Sequence, residues 1–291
     1  MPKQVLHFAI ALCYWTIKWG FSRLKRTVGG KLAGTCVVLY YHGVTAEQRA
    51  RFARQMDELL RWARPAPADL KEPVERGVHC AALTFHDGHA NVVENALPEL
   101  AQRGIPATLF VPTGYIGQTP GWIDDAGYPY FREVIVSVDQ LRSLHRELVS
   151  VGSHGVTHRN LTLLSEKEAR EELCKSKLEL EAIVGCPVRL FAFPYGAHNE
   201  ALMELASQCG YERVFTCLPH VARGGGEEFV TGAVNASPAD WMLEFRLKVL
   251  GAYGWLPSAI ALKRKVRSFL RKLFRPTTEA ASTEARQNGV H

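Results

Sequence analysis

Cysteine is sparse in this chain, and what there is does not pair up in sequence. The seven residues are Cys13, Cys36, Cys80, Cys174, Cys186, Cys209 and Cys217, scattered, odd in number and without a Cys-x-x-Cys pair. That argues against a disulfide framework or a thiolate zinc site, and it fits a reducing compartment. Long apolar runs are also missing. The N-terminal stretch from Phe8 to Ile17, bounded by His7 and Lys18, is too short to cross a hydrocarbon core of ~30 Å. It resembles a signal h-region, but no small-x-small cleavage site follows it. No fixed-period repeat is visible, and no aromatic–basic interleaving of the kind that reads RNA. Acids are absent from residues 258–275, where Lys263, Arg264, Lys265, Arg267, Arg271, Lys272 and Arg275 stand; without these seven, the net +6 of the chain becomes −1. Basicity this local points to an anionic membrane surface, and no nucleic-acid partner is expected.

The 291 residues, 47% hydrophobic and 22% charged, suffice for one large α/β core with appendages. From residue 35 the texture is strand-then-helix. Residues 36–41 read as a buried strand, and residues 46–63 as a helix with Phe52, Met56, Leu59 and Leu60 on one face. Strands are expected at 81–85, 108–111, 148–152, 190–193 and 213–216, and helices at 92–103, 141–148 and 199–209. Ser165, with Glu168 three residues on, is a capping box for a helix reaching about Val184. A Gly/Pro-rich insertion at 113–130 interrupts the rhythm, and loops of that length often carry function. Such alternation implies a parallel sheet, open or closed into a barrel.

After Val234 the alternation stops. Leu262, Val266, Phe269, Leu270 and Leu273 form one apolar stripe opposite the Lys/Arg cluster. This is the pattern of a helix in a membrane interface, or of a terminal helix packed on the barrel. The N-terminal run is open to the same two readings. Lys18, Arg23, Lys25, Arg26 and Lys31 follow it, against Lys3 before it; on insertion, that excess would hold the next domain on the cytoplasmic side. The expected organisation is therefore 1–32 as an apolar/basic segment and membrane-anchor candidate, 33–237 as the α/β domain, 238–275 as a basic amphipathic helical region and 276–291 as a disordered tail. The expected location is the cytoplasmic face of the inner membrane or the cytoplasm, with export to the periplasm as the alternative.

Three polar clusters fall at predicted strand ends, where parallel α/β folds place their sites: His86-Asp87-Gly88-His89, Ser153-His154 with His158, and Pro194-Tyr195-Gly196. One carboxylate and two imidazoles four residues apart form a three-ligand set suited to Zn²⁺ or a similar divalent ion, with a coordination position left for water.

At these residues the sequence resembles the polysaccharide deacetylase (NodB homology, carbohydrate esterase 4) family. Thr84-Phe85-His86-Asp87-Gly88 is similar to its Thr-Phe-Asp-Asp-Gly motif. Ser153-His154-Gly155-Val156-Thr157-His158 is similar to its metal motif, and residues 191–196 resemble its third. Tyr40-Tyr41-His42-Gly43-Val44 looks like the opening strand of many members. The resemblance, over about residues 35–235, implies a distorted (β/α)7-type barrel, with the terminal segments as helical appendages. It implies a divalent metal, Zn²⁺ above all, on Asp87, His154 and His158. It implies hydrolysis of an N-acyl group on an amino-sugar saccharide in cell-surface or exopolysaccharide metabolism, with the Tyr195 backbone N–H as an oxyanion donor. An enzyme apposed to a membrane would suit a lipid-linked saccharide.

Two departures stand out. The family's general-base carboxylate is replaced by His86, and an Arg often found in the third motif is Ala192. Nor does a Leu-x-x-His near the end supply the family's general acid; His220 lies in a Pro-flanked loop. Three roles are open to His86: general base, fourth metal ligand, or mark of an impaired relative that binds saccharide without turning it over. His89 reads as an exposed loop residue, with a supporting contact to the metal ligands or to substrate as the alternative, His42 as pocket lining or core edge, and His198 as a residue at a helix N-terminus. Asp240-Trp241 superficially resembles a further family motif, but lies beyond the barrel.

Overall fold

The computed structural model describes residues 2–27, 29, 32–219, 221–222 and 228–273. Contacts divide the chain into two compact units, 1–254 and 255–291.

Seven parallel strands build the first unit: β1 (Thr35–Tyr41), β2 (His79–Phe85), β3 (Ala107–Val111), β4 (Val149–Ser153), β5 (Leu190–Ala192), β6 (Arg213–Thr216) and β7 (Val230–Asn235). Each pairs with the next, and β7 pairs back onto β1, closing the barrel the resemblance implies. The strands are almost wholly buried, as expected where helices cover the outer face and side chains fill the inside. Inside, small Ala82, Ala192 and Ala233 sit among Phe110, Phe215 and Tyr40. Gly152 belongs to that fit, because a Cβ there would lie 2.3 Å from the Phe110 ring. The ring is least regular between β4 and β5, which share the single register pair Ser153↔Phe191. Two-residue strands, Arg64–Pro65 and Val221–Ala222, extend the sheet beside β2 and β1.

Eight α-helices are described: α1 (Pro2–Thr27), α2 (Arg49–Trp62), α3 (Leu97–Gln102), α4 (Val138–Ser143), α5 (Glu166–Val184), α6 (Glu200–Gln208), α7 (Met242–Val249) and α8 (Leu256–Leu273). Ser165 caps α5, with Glu168 bonding back, and Gly185 ends it at φ 69°. On α2, Phe52, Met56 and Leu59 are buried as expected, whereas Leu60 faces out and Gln55 takes the inward place, bonded to Tyr41 and the Ser237 carbonyl.

Other expectations fail for identifiable reasons. The helix placed at 141–148 runs over Val138–Ser143, because Ser137 and Gln140 make a capping box upstream and Leu144 is extended. The stretch at 92–103 begins as a π-turn, Val92–Ala96, before α3. Strand β7 has no counterpart in the predicted set; its central residues, Gly232 and Ala233, are small. The expected absence of disulfides is corrected as well. Cys174 on α5 and Cys209 after α6 are bonded, with Cα atoms 5.3 Å apart. Thirty-five residues separate them in sequence, so spacing alone gave no sign of the pairing.

Between α7 and the barrel lies a charged seam. Lys248 pairs with Asp240 at 2.7 Å, both buried, and Arg246 bonds Glu58 of α2. Asp240 thus belongs to helix packing. The helical region expected at 238–275 is two helices, α7 in the first unit and α8 in the second. The tail expected at 276–291 and His220 lie outside the described residues.

Candidate active site

The site is assembled where β2, β4 and β5 end. After β2 the backbone turns left-handed at Asp87 (φ 68°) and Gly88 (φ 69°), a conformation Asp tolerates better than bulkier residues. After β4, Gly155 (φ 80°) and His158 (φ 56°) fold the segment back so that both imidazoles face the same carboxylate. Asp87 Oδ1 lies 3.4 Å from His154 Nε2 and 3.2 Å from His158 Nε2. One donor atom from each of the three lies within 4.8 Å of the others, and all three residues are buried. His154 Nδ1 is 2.7 Å from the Ala192 carbonyl at the end of β5. That contact holds its proton on Nδ1 and leaves Nε2 as the ligand atom.

Electrostatics favour the same use. Burial alone would raise the Asp87 carboxyl, but the imidazoles of His154, His158 and His89 gathered around it hold it well below the usual carboxylate range. Burial lowers His158 against the pull of Asp87. An ionised carboxylate beside two imidazoles offers one O and two N donors, a set that suits a borderline divalent ion such as Zn²⁺.

A brace beneath the histidines escaped the sequence reading. Glu172 of α5 is buried. Its Oε2 accepts from the N–H groups of Val156 (2.7 Å) and Thr157 (2.9 Å), and its Oε1 accepts from the Thr157 hydroxyl. Ser153 and Ser176 pair at 2.7 Å alongside. One signal was present: Ala169, Leu173 and Leu180 mark the inward stripe of α5, and Glu172 and Ser176 share it. A charged residue on a buried face needs partners.

His86 is buried. Its ring lies 4.7 Å from Tyr40, nearly parallel, with Phe110 and His154 edge-on at 5.3 and 5.1 Å. Its Nε2 has no hydrogen-bond partner among the described residues. Desolvation, reinforced by His154 and His42, holds it well below the ordinary histidine range, so the imidazole is neutral. His86 is not among the convergent donors, which leaves the fourth-ligand role without support.

Tyr195 sits in the turn Pro194–Gly196 at φ 59°, its ring 4.9 Å from His158. His86, Asp87, His154, His158, His42 and Tyr195 all line one pocket of about 470 Å³. The 113–130 insertion supplies its other wall. Trp122 lies 4.3 Å from the His158 ring in a near-parallel stack, Tyr115 holds Trp122 edge-on, and Asp124, Asp125 and Tyr128 complete the lining. His89 corrects an expectation. It is fully buried, 3.7 Å from Asp87 Oδ2 and 5.1 Å from the Tyr130 ring, because the insertion folds over it. His198 bonds the Gly196 carbonyl just before α6.

Comparison with known proteins bears on the fold that carries this site. The polysaccharide deacetylase family model matches residues 74–214. YxkH of Bacillus subtilis (strain 168), a protein named for polysaccharide deacetylation, is 23% identical over 215 residues, 69% of this chain and 71% of the relative. Among solved structures, IcaB from Ammonifex degensii superposes with a TM-score of 0.63 at 24% identity, covering 76% of this chain and 98% of the other. The Streptococcus pyogenes deacetylase PplD, in complex with acetate, gives 0.61 at 17% identity, covering 75% and 99%.

Proposed function

We propose that the chain, whose residues 74–214 match the polysaccharide deacetylase family model, removes N-acetyl or other N-acyl groups from an amino-sugar saccharide with a divalent metal, most suitably Zn²⁺. The observation that carries this reading is the convergence of Asp87, His154 and His158 at the mouth of a closed barrel. A bound ion would supply a Lewis acid for the amide carbonyl and lower the pKa of water at the site.

The chain's own groups divide the remaining work. The carboxylate and two imidazoles would hold the ion, and Glu172 and the Ala192 carbonyl fix the segments that carry the histidines. His86, neutral and in the pocket beside His154, accepts the proton of the attacking water. The Tyr195 N–H donates to the oxygen on which charge develops. Trp122 and Tyr195 offer flat faces to the sugar. Exopolysaccharide or other cell-surface saccharides fit a pocket open at the barrel mouth, and a lipid-linked saccharide fits if the enzyme sits on a membrane.

A second reading has an observation of its own. Nothing among the described residues bonds His86 Nε2, and a base with no orienting partner suits a saccharide-binding relative with little or no turnover. Metal analysis and acetate release from N-acetylglucosamine oligomers separate the two. Metal with turnover supports hydrolysis; metal or sugar binding without turnover supports the binder. Metal-free protein, unchanged by Asp87→Ala and His154→Ala, would refute the site itself.

A further inference from the structure

Helix α1 has two apolar faces, and α7 packs against one of them. Phe8 packs edge-on against Trp241 at the start of α7 (6.0 Å), Gln4 Nε2 donates to Glu244 at 2.9 Å, and Ala11 is fully buried. Lys18 is pulled low by burial on the same side. About half a turn round the helix stand Leu6, Ile10, Ile17, Phe21 and Leu24, between 37% and 69% exposed. Leu6, Ile10, Cys13, Ile17, Gly20 and Leu24 are spaced four and three residues apart in alternation, which keeps them on one stripe. A Cβ at Gly20 would meet nothing within 4 Å, so the stripe is open at that position too. An apolar stripe this continuous on a soluble surface marks a contact with something apolar.

We propose that the outer face of α1 seats on an anionic lipid bilayer, with the helix lying along the surface. Charge selects this occupant. The helix contains no acid, while Lys3, Lys18, Arg23, Lys25 and Arg26 are all basic. Arg23 and Lys25 are exposed at its C-terminal end, with the Arg23 guanidinium 4.7 Å over the Trp19 ring. A basic helix with large apolar side chains and flanking aromatics is the composition of interfacial attachment. No described helix is long and apolar enough to cross a membrane, which fits a helix that lies flat. A second copy of the chain is the rival occupant, but it would offer the basic residues of α1 only a helix of the same sign, with no acid to pair them. Helix α8, in the other unit, carries the same chemistry, with Leu262, Val266 and Leu270 exposed beside Lys263, Arg264, Lys265 and Arg267. The proposal does not rest on the hydrolytic reading.

The test is sedimentation of the full-length protein with phosphatidylglycerol-containing vesicles and with pure phosphatidylcholine vesicles. The parent should partition onto the anionic vesicles and be released by added salt. Ile10→Ser, Ile17→Ser and Leu24→Ser combined should weaken that partitioning by roughly tenfold or more. Unchanged far-ultraviolet circular dichroism and thermal midpoint would show that the fold is intact. No preference for the anionic vesicles would overturn the proposal. So would equal partitioning of parent and triple variant, which would move the attachment elsewhere on the chain. A parent dimer that the triple variant splits into monomers, with no vesicle binding by either, would assign the stripe to a second copy instead.

Discussion

At the end of β2, His86 and Asp87 are adjacent in sequence and differ in partners. Asp87 gathers three imidazoles around its carboxylate, while His86 lies against Tyr40 with its Nε2 unbonded. If His86 is the proton acceptor, His86→Ala should lower kcat by about 10²–10⁴, the range general-base loss produces. His86→Asp should also lose activity, because the pocket around Tyr40 and Phe110 is shaped to a ring. A gain in rate with the carboxylate would show that histidine is a degraded base. Glu172→Gln makes a different prediction. It leaves one side-chain acceptor where two carboxylate oxygens now take three donors, so metal should bind roughly tenfold more weakly, the lower end of effects from groups that orient ligands. Titration with Zn²⁺ on a protein with an unchanged circular dichroism spectrum would read this, and unaltered affinity would deny the brace its role. The metal-ligand candidates were legible in sequence because strand ends and a four-residue His spacing carry the pattern. Glu172 and Trp122 were not, since one acts through backbone amides of a distant loop and the other is placed by the insertion's own fold.

Among the elements, α5 was the most legible, since Ser165, Glu168 and Gly185 state both of its ends chemically. Ser165→Ala should cost about 1 kcal/mol, the usual value of a lost N-cap, measured as a shift of the urea midpoint with an unchanged slope. The disulfide between α5 and α6 was illegible, because pairing depends on which helices become neighbours. A loop of this length constrains the unfolded chain by about 3–4 kcal/mol. Reduction, or Cys174→Ala with Cys209→Ala, should therefore lower the urea midpoint clearly, with acetate release at low temperature preserved. An unchanged midpoint would mean that the thiols are not joined in solution. Helix α4 and strand β7 show the limit of periodicity. The first was misplaced because its capping box, Ser137 with Gln140, lies upstream of the apolar residues that suggested it. The second is a six-residue segment with Gly232 and Ala233 at its centre, too small in side chain to stand out.

For the molecule as a whole, closure of the barrel places three strand ends from separate segments around one candidate cation site. The charge distribution is lopsided: without the seven cations of 258–275 and the five of α1, the net +6 becomes −6, so basicity is confined to the apolar helices at the two ends. The bonded Cys174–Cys209 pair favours an oxidising compartment, against the excess of Lys and Arg after the apolar N-terminal run, which favours the cytoplasmic side. We propose a membrane surface as the location, and alkylation of free thiols in intact cells would decide the side. Metal binding to the folded state alone should stabilise it by about 2.7 kcal/mol at a hundredfold excess over Kd, so a chelator should lower the thermal midpoint of the parent and leave that of Asp87→Ala unmoved. The most direct test of the central claim joins metal content to turnover on the same samples. The account predicts that purified protein carries a divalent ion and releases acetate from N-acetylglucosamine oligomers, and that Asp87→Ala keeps the fold and loses both. Retention of ion and acetate release in Asp87→Ala would contradict it.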